Sequence, residues 1–96
     1  MGSSLTLKKA SRDIKEIADQ FGAANLRVFG SFARGSSTKS SDLDLLVDFE
    51  PGRDLLDLIG LKQALEQRLG IHVDVVTEKG LSPYLRDRIL NEARPL

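Results

Sequence analysis

The sequence contains no cysteine. Disulfides and thiolate metal sites are therefore excluded, and the chemistry fits a reducing, cytoplasmic setting. It also carries no net charge, because Lys+Arg and Asp+Glu balance at 14 each. A non-specific nucleic-acid binder needs an excess of positive charge, so no stable nucleic-acid binding is expected. No apolar run approaches the roughly 18 residues that span a bilayer. Met1 to Ser4 lack the hydrophobic core of a signal peptide, so no membrane partner or secretory route is expected. Gly2, Ser3 and Ser4 read equally well as a vector-derived remnant. There is no internal repeat, low-complexity tract or linker. What remains is a soluble, globular composition, with 29% charged residues over 96 positions. That length predicts one domain spanning 1–96, with one modest core and no room for a second substrate-binding domain.

Hydrophobic periodicity predicts the elements. Leu7, Ala10, Ile14, Ile17, Ala18 and Phe21 recur at helical spacing, with Thr6 as N-cap and Gly22 as the stop. Residues 26–29 read as a short strand ended by Gly30, followed by a short helix through Ala33. Residues 35–41 are a polar loop by composition. Residues 43–49 form the clearest strand. Leu43, Leu45, Val47 and Phe49 fall on one face, Asp42, Asp44, Asp48 and Glu50 fall on the other, and Leu46 breaks the alternation. Asp54 caps a helix reaching Leu69, and Gly70 takes the left-handed C-terminal position. Residues 71–77 form a β-branched strand. Ser82-Pro83 opens a last helix that turns Leu85, Ile89 and Ala93 inward. Tyr84 reads as a local packing or capping residue. The order is α-β-α-β-α-β-α. Alternation alone would favour a parallel sheet. The connection between the first two strands is about a dozen residues, near the minimum for a parallel crossover, so a mixed sheet is at least as well supported.

Two features carry chemistry. Gly30-Ser31 sits at a strand-to-helix junction, and Asp42-x-Asp44 follows after ten intervening residues at the mouth of the next strand. A helix start offers unpaired N–H groups to a phosphate. Glycine allows close approach, and a serine hydroxyl can donate. Two carboxylates at i and i+2 on a strand share a face. They repel unless a hard cation lies between them, and Mg²⁺ with substrate phosphates is the usual occupant. Asp74 lies mid-strand in Val73-Asp74-Val75-Val76, a segment that reads as buried, where a charge needs a partner. No basic residue on that strand supplies one, so a shared metal is the economical answer. Three carboxylates on neighbouring strands suit two ions about 4 Å apart.

Gly30-Ser31-Phe32-Ala33-Arg34-Gly35, Ser41-Asp42-Leu43-Asp44-Leu45-Leu46-Val47 and Asp74 resemble the signature of the DNA polymerase beta-type nucleotidyltransferase superfamily. They are most similar to the minimal nucleotidyltransferases, the small partners of HEPN-domain toxins. Ile89-Leu90-Asn91-Glu92-Ala93 is similar to that family's C-terminal helix. The resemblance implies an α+β fold with a mixed three-stranded core sheet flanked by helices, and a single minimal nucleotidyltransferase domain over 1–96. It implies that Gly30 and Ser31 hold the triphosphate of ATP or another nucleoside triphosphate. Asp42 and Asp44 would bridge two Mg²⁺ ions, and Asp74 would bind the ion that activates the attacking group, making these three the catalytic set. Arg34 reads either as a phosphate contact or as a surface residue, and Ser41 either orients Asp42 or is a plain loop serine. Gly35 reads as a helix C-cap, Asp48 and Glu50 as solvated, and His72 as a strand-end residue or a support behind the metal. The implied activity is transfer of AMP to a tyrosine of a HEPN toxin, with this chain as antitoxin. The alternatives are a small-molecule nucleotidyltransferase working as a homo-oligomer, and an antitoxin that acts by binding alone.

Overall fold

A computed structural model describes residues 7–37 and 41–96. Thr6, proposed as the first N-cap, and positions 1–4 and 38–40 lie outside the described residues.

Helix α1 (Leu7–Gln20) buries Ala10, Ile14, Ile17 and Ala18, the stripe that periodicity marks. After a turn at Gly22, strand β1 (Ala23–Phe29) begins three residues earlier than the sequence suggests. Ala23 already pairs with Phe49, but the register slips between Ala24 and Arg27, where Asn25 takes a positive φ of 51°. This bulge hides the strand's start from a period-two reading. Helix α2 (Ser31–Arg34) follows at once, then the loop, then strand β2 (Leu43–Phe49).

Helix α3 (Leu55–Leu69) starts at a capping box, in which the Asp54 side chain accepts from Leu56 N–H and the Asp57 carboxylate accepts from Asp54 N–H, both at 3.0 Å. It ends at Gly70, which takes the left-handed conformation with φ 70°, as glycine does at helix ends. Strand β3 (Val73–Thr77), a single 3₁₀ turn (Glu78–Gly80), helix α4 (Pro83–Glu92) and strand β4 (Arg94–Pro95) complete the chain.

The sheet order is β3-β2-β1-β4. β2 runs antiparallel to β1 and parallel to β3, so α3 is the crossover. The expected mixed sheet is present with one strand more than expected, since β4 adds a two-residue edge beside Arg27 and Val28. Two residues are too few to show a period.

One sheet face builds the core: Val28, Leu43, Leu45, Val47, Val73 and Val75 pack with Ile14 and Ile17 of α1 and Leu61 and Leu65 of α3. Alternation puts Asp44, Leu46 and Asp74 on the opposite face. Leu46 is fully buried there, so the residue that breaks the pattern is a sign that this face too is partly covered. The expectation of an inward Leu85 fails, because only Ile89 of α4 is buried. Leu85 is 48% exposed and Tyr84, expected to pack or cap, is 95% exposed. Among the described residues no helix is long and apolar enough to cross a membrane.

Candidate active site

The register of the central strand brings separated residues together. Asp44 stands opposite Asp74 on one side and Phe29 on the other. Phe29 is the last residue of β1, so the turn at Gly30 also borders Asp44. Gly30 has φ 76° and ψ −153°, a region of backbone space that is essentially glycine's own. A Cβ there would lie 2.2 Å from Asp44 Oδ2. The glycine is therefore required twice, by its backbone conformation and by the carboxylate beside it. Ser31 is the first residue of α2, and Gly35 closes that helix in the left-handed conformation, as a C-cap.

Asp44 is half-buried between like charges. Its carboxyl is raised from the usual 3.8 to about 6, first by burial, then by the charge of Asp74 and a hydrogen bond shared with it, and further by Asp42 and Glu92. Asp74 is exposed, although Val73 and Val75 on either side are buried. The expectation of a buried charge in need of a partner is corrected: β3 alternates, and Asp74 faces away from the core that its neighbours fill. Its link to the site comes from register with Asp44 instead. Asp42 is exposed at the mouth of β2, and Ser41 lies half-buried just before it.

Among the described residues no three His, Asp or Glu side chains are gathered as a ready metal cluster. The gathered pair is Asp44 with Asp74, and Asp42 adds a weaker repulsion. These residues fit a hard divalent cation by donor chemistry, since all are carboxylates. A cation would also relieve the repulsion that lifts Asp44.

Glu92 is a site residue that the sequence did not single out. Its Oε2 accepts a hydrogen bond from Gly30 N–H at 3.1 Å, across 62 positions of chain, and its Oε1 pairs with the Arg34 guanidinium. The Gly30 amide, and then Arg34, hold the Glu92 carboxyl below its usual range. Arg34 is thus engaged with Glu92 rather than idle on the surface. Only the similarity of the C-terminal helix to the family's hinted that this segment mattered.

His72 belongs elsewhere. Its Nδ1 lies 3.0 Å from Glu66, which also takes Lys62 Nζ at 2.8 Å and Val73 N–H at 3.0 Å. This cluster anchors the entry to β3. Asp48 and Glu50, expected to be solvated, are exposed but bonded: Asp48 to Asn25 and Arg27, and Glu50 to Arg53. A groove of about 1010 Å³ lies at the far ends of β2 and β3, lined by Val47, Phe49, Leu55, Leu58, Thr77 and Leu81 among others, with none of the three aspartates in its wall. Volume alone would place the site there, but the chemistry is at the other end of the strands.

The Asp44 environment has a measurable consequence. Its folded-state value lies above the unfolded one, so the native state holds the proton more tightly. Stability from this group therefore falls as pH rises from about 4 through about 6. Discounted for partial exposure, the loss is on the order of 1–2 kcal/mol, or several degrees in Tm for a domain of this size. Melts in chelator should show wild type losing more Tm between pH 5 and pH 7.5 than Asp44→Asn does. Parallel profiles for the two proteins would refute the strained carboxylate.

The profile of the nucleotidyltransferase domain family matches residues 7–96. The chain belongs to this family. A chain of Methanocaldococcus jannaschii, provisionally named a protein adenylyltransferase, is 44% identical to this nucleotidyltransferase over 89 residues, covering 93% of this chain and 96% of the relative. The protein adenylyltransferase MntA of Thermococcus cleftensis is 41% identical over 78 residues, covering 81% and 79%. A solved structure provisionally described as a minimal nucleotidyltransferase superposes with a TM-score of 0.83 at 49% identity, covering 99% of this chain and all of the other. A crystal structure of a toxin–antitoxin with AMP-PNP superposes with a TM-score of 0.76 over 88% of this chain and 69% of that one. At 22% identity this last likeness speaks to the fold alone. The family and fold implied by the resemblance are therefore established for this nucleotidyltransferase.

Proposed function

We propose that this nucleotidyltransferase is a Mg²⁺-dependent protein adenylyltransferase that moves AMP from ATP onto a tyrosine hydroxyl of a HEPN toxin and so acts as its antitoxin. The observation that carries the reading is Asp44, set against Asp74 and bordered by the Gly30 turn. The protein adenylyltransferase names of two relatives at 41% and 44% identity support a protein acceptor. The 41% identical relative shares its name, MntA, with one half of a toxin–antitoxin, MntA-HpeT, and that shared name supports a toxin as the acceptor.

Asp42 and Asp44 would hold two ions, and Asp74 would help hold the one that activates the attacking group. When bound, such ions lower the pKa of an attacking hydroxyl and neutralise charge on the phosphates. Gly30 and Ser31 would receive the triphosphate, with Ser31 donating its hydroxyl. Ser41 would steady the approach to Asp42, and Arg34 would add positive charge beside the phosphates. In the transfer, the acceptor oxygen bonds to the α-phosphorus as the bond to pyrophosphate breaks, and the hydroxyl proton passes to water.

Titrating ATP with Mg²⁺ and then in excess EDTA tests the site. Affinity should fall roughly tenfold or more in EDTA, since the carboxylates then face a triphosphate of their own sign. Equal affinity under both conditions would remove the metal. Mass spectrometry of a co-purified toxin tests the acceptor: an AMP adduct on tyrosine is expected. A toxin inhibited without modification would leave an antitoxin that acts by binding alone.

A further inference from the structure

We infer that Glu92 is the positioning residue of the triphosphate site, holding the Gly30 turn and the Arg34 guanidinium in the geometry that receives phosphate. The inference rests on the proposed reading of that turn as the triphosphate site, and extends it to a residue on the last helix.

Glycine adopts the Gly30 conformation readily but adopts many others as readily, so the turn needs support from its surroundings to stay in it. Residues 31–34 form a single short helix, which is too short to enforce its own entry. The support comes from α4: Glu92 Oε2 takes the Gly30 N–H at 3.1 Å while Oε1 takes Arg34. One carboxylate thus fixes both ends of α2. The geometry shows which partner is left for a ligand. The Glu92 side chain is 21% exposed and that of Arg34 is 53% exposed, so the carboxylate lies behind and the guanidinium in front. Arginine has five N–H donors in a rigid fork, and one guanidinium nitrogen, Nη1, meets Glu92. The rigid fork leaves further donors on a side chain that is 53% exposed. A long side chain already held in place loses less freedom when it meets a phosphate. Glu92 also adds to the negative field at Asp44. A carboxylate beside Asp44 is offset here by the amide and the guanidinium that it holds.

The test is a double-mutant cycle read in the dissociation constant for Mg²⁺-ATP, using wild type, Glu92→Gln, Arg34→Ala and the double variant, with Glu92→Ala alongside. Glu92→Ala should weaken Mg²⁺-ATP about five- to tenfold, the scale for leaving one rotamer-rich side chain to be ordered on binding. Glu92→Gln keeps an oxygen for the Gly30 N–H and should recover part of the loss. In the Arg34→Ala background, Glu92→Gln should have a much smaller effect, because the two residues act as a unit. Inorganic tripolyphosphate with Mg²⁺ should follow the same order as ATP, since it meets the turn alone. Fully additive effects, or a Glu92→Gln protein that binds Mg²⁺-ATP as tightly as wild type or more tightly, would overturn the inference, the latter by making Glu92 a competitor for the phosphate groups. These results are distinct from failure of the underlying reading, which would appear as wild type not binding Mg²⁺-ATP at all and would remove the inference with it.

Discussion

Asp74→Asn should reduce single-turnover transfer by roughly 10²–10⁴-fold while leaving the dissociation constant for Mg²⁺-ATP within about threefold. The expectation follows from where the three aspartates stand. Asp44 is half-buried on the central strand, bordered by Gly30 and faced by Asp74. Asp74 is exposed on the outer strand β3. On the proposed reading, a ligand on the outer strand could be lost without disturbing the turn that would receive the phosphates. Under the proposed two-ion reading, its loss would free the ion that Asp74 would hold, because a neutral amide is a weak ligand for a hard cation. Asp44→Asn and Asp42→Asn should instead damage nucleotide binding and transfer together. Removing the Asp74 charge also removes the largest charge effect on Asp44, so Asp74→Asn should melt slightly higher than wild type in chelator at pH 7.5. Near-normal transfer by Asp74→Asn would make Asp74 a structural strand residue and end the two-ion reading.

Gly30→Ala should lower Tm by roughly 5–15 °C and remove Mg²⁺-ATP binding. Two costs combine. An L-residue at φ 76°, ψ −153° is strained by roughly 1–3 kcal/mol. The new Cβ would also sit 2.2 Å from Asp44 Oδ2, so either the turn or the carboxylate must move. If Asp44 moves, it leaves its place beside Asp74. If the turn moves, the Gly30 N–H leaves Glu92. Gly35→Ala is the control, since Gly35 also has a positive φ of 73° but open space where a Cβ would go. It should cost about 1–2 kcal/mol and leave ATP binding intact. Similar behaviour of the two variants would mean that the close approach at Gly30 does not matter.

The parts of this molecule that were legible in the sequence are those written in neighbouring positions. Leu43, Leu45 and Val47 alternate and are all buried. Asp54 begins a helix and Gly70 ends one because each completes a local cap. Gly30-Ser31 and Asp42-x-Asp44 were legible as a pair because spacing and chemistry agreed. The apolar neighbours of Asp74 suggest burial, but the strand alternates and leaves it exposed. The exposed Leu55, Leu56, Leu85 and Tyr84 could not be read as such, since helical spacing says which residues are apolar and not whether anything covers them. Glu92 was illegible in principle. A carboxylate near the end of a helix is ordinary, and its two partners are 58 and 62 positions away.

That separation has a consequence in time. During synthesis at about 5–20 residues per second, the 62 residues from Ser31 through Glu92 take on the order of 3–12 s to add. Helix–coil relaxation and hairpin formation need only microseconds. The β1–β2 pair can therefore form on the nascent chain, and β3 can bring Asp74 alongside Asp44, while Gly30 still lacks its acceptor. A chain extended only through β3 would hold every aspartate of the site and a Gly30 turn without Glu92 to steady it. Ordering of that turn waits for α4.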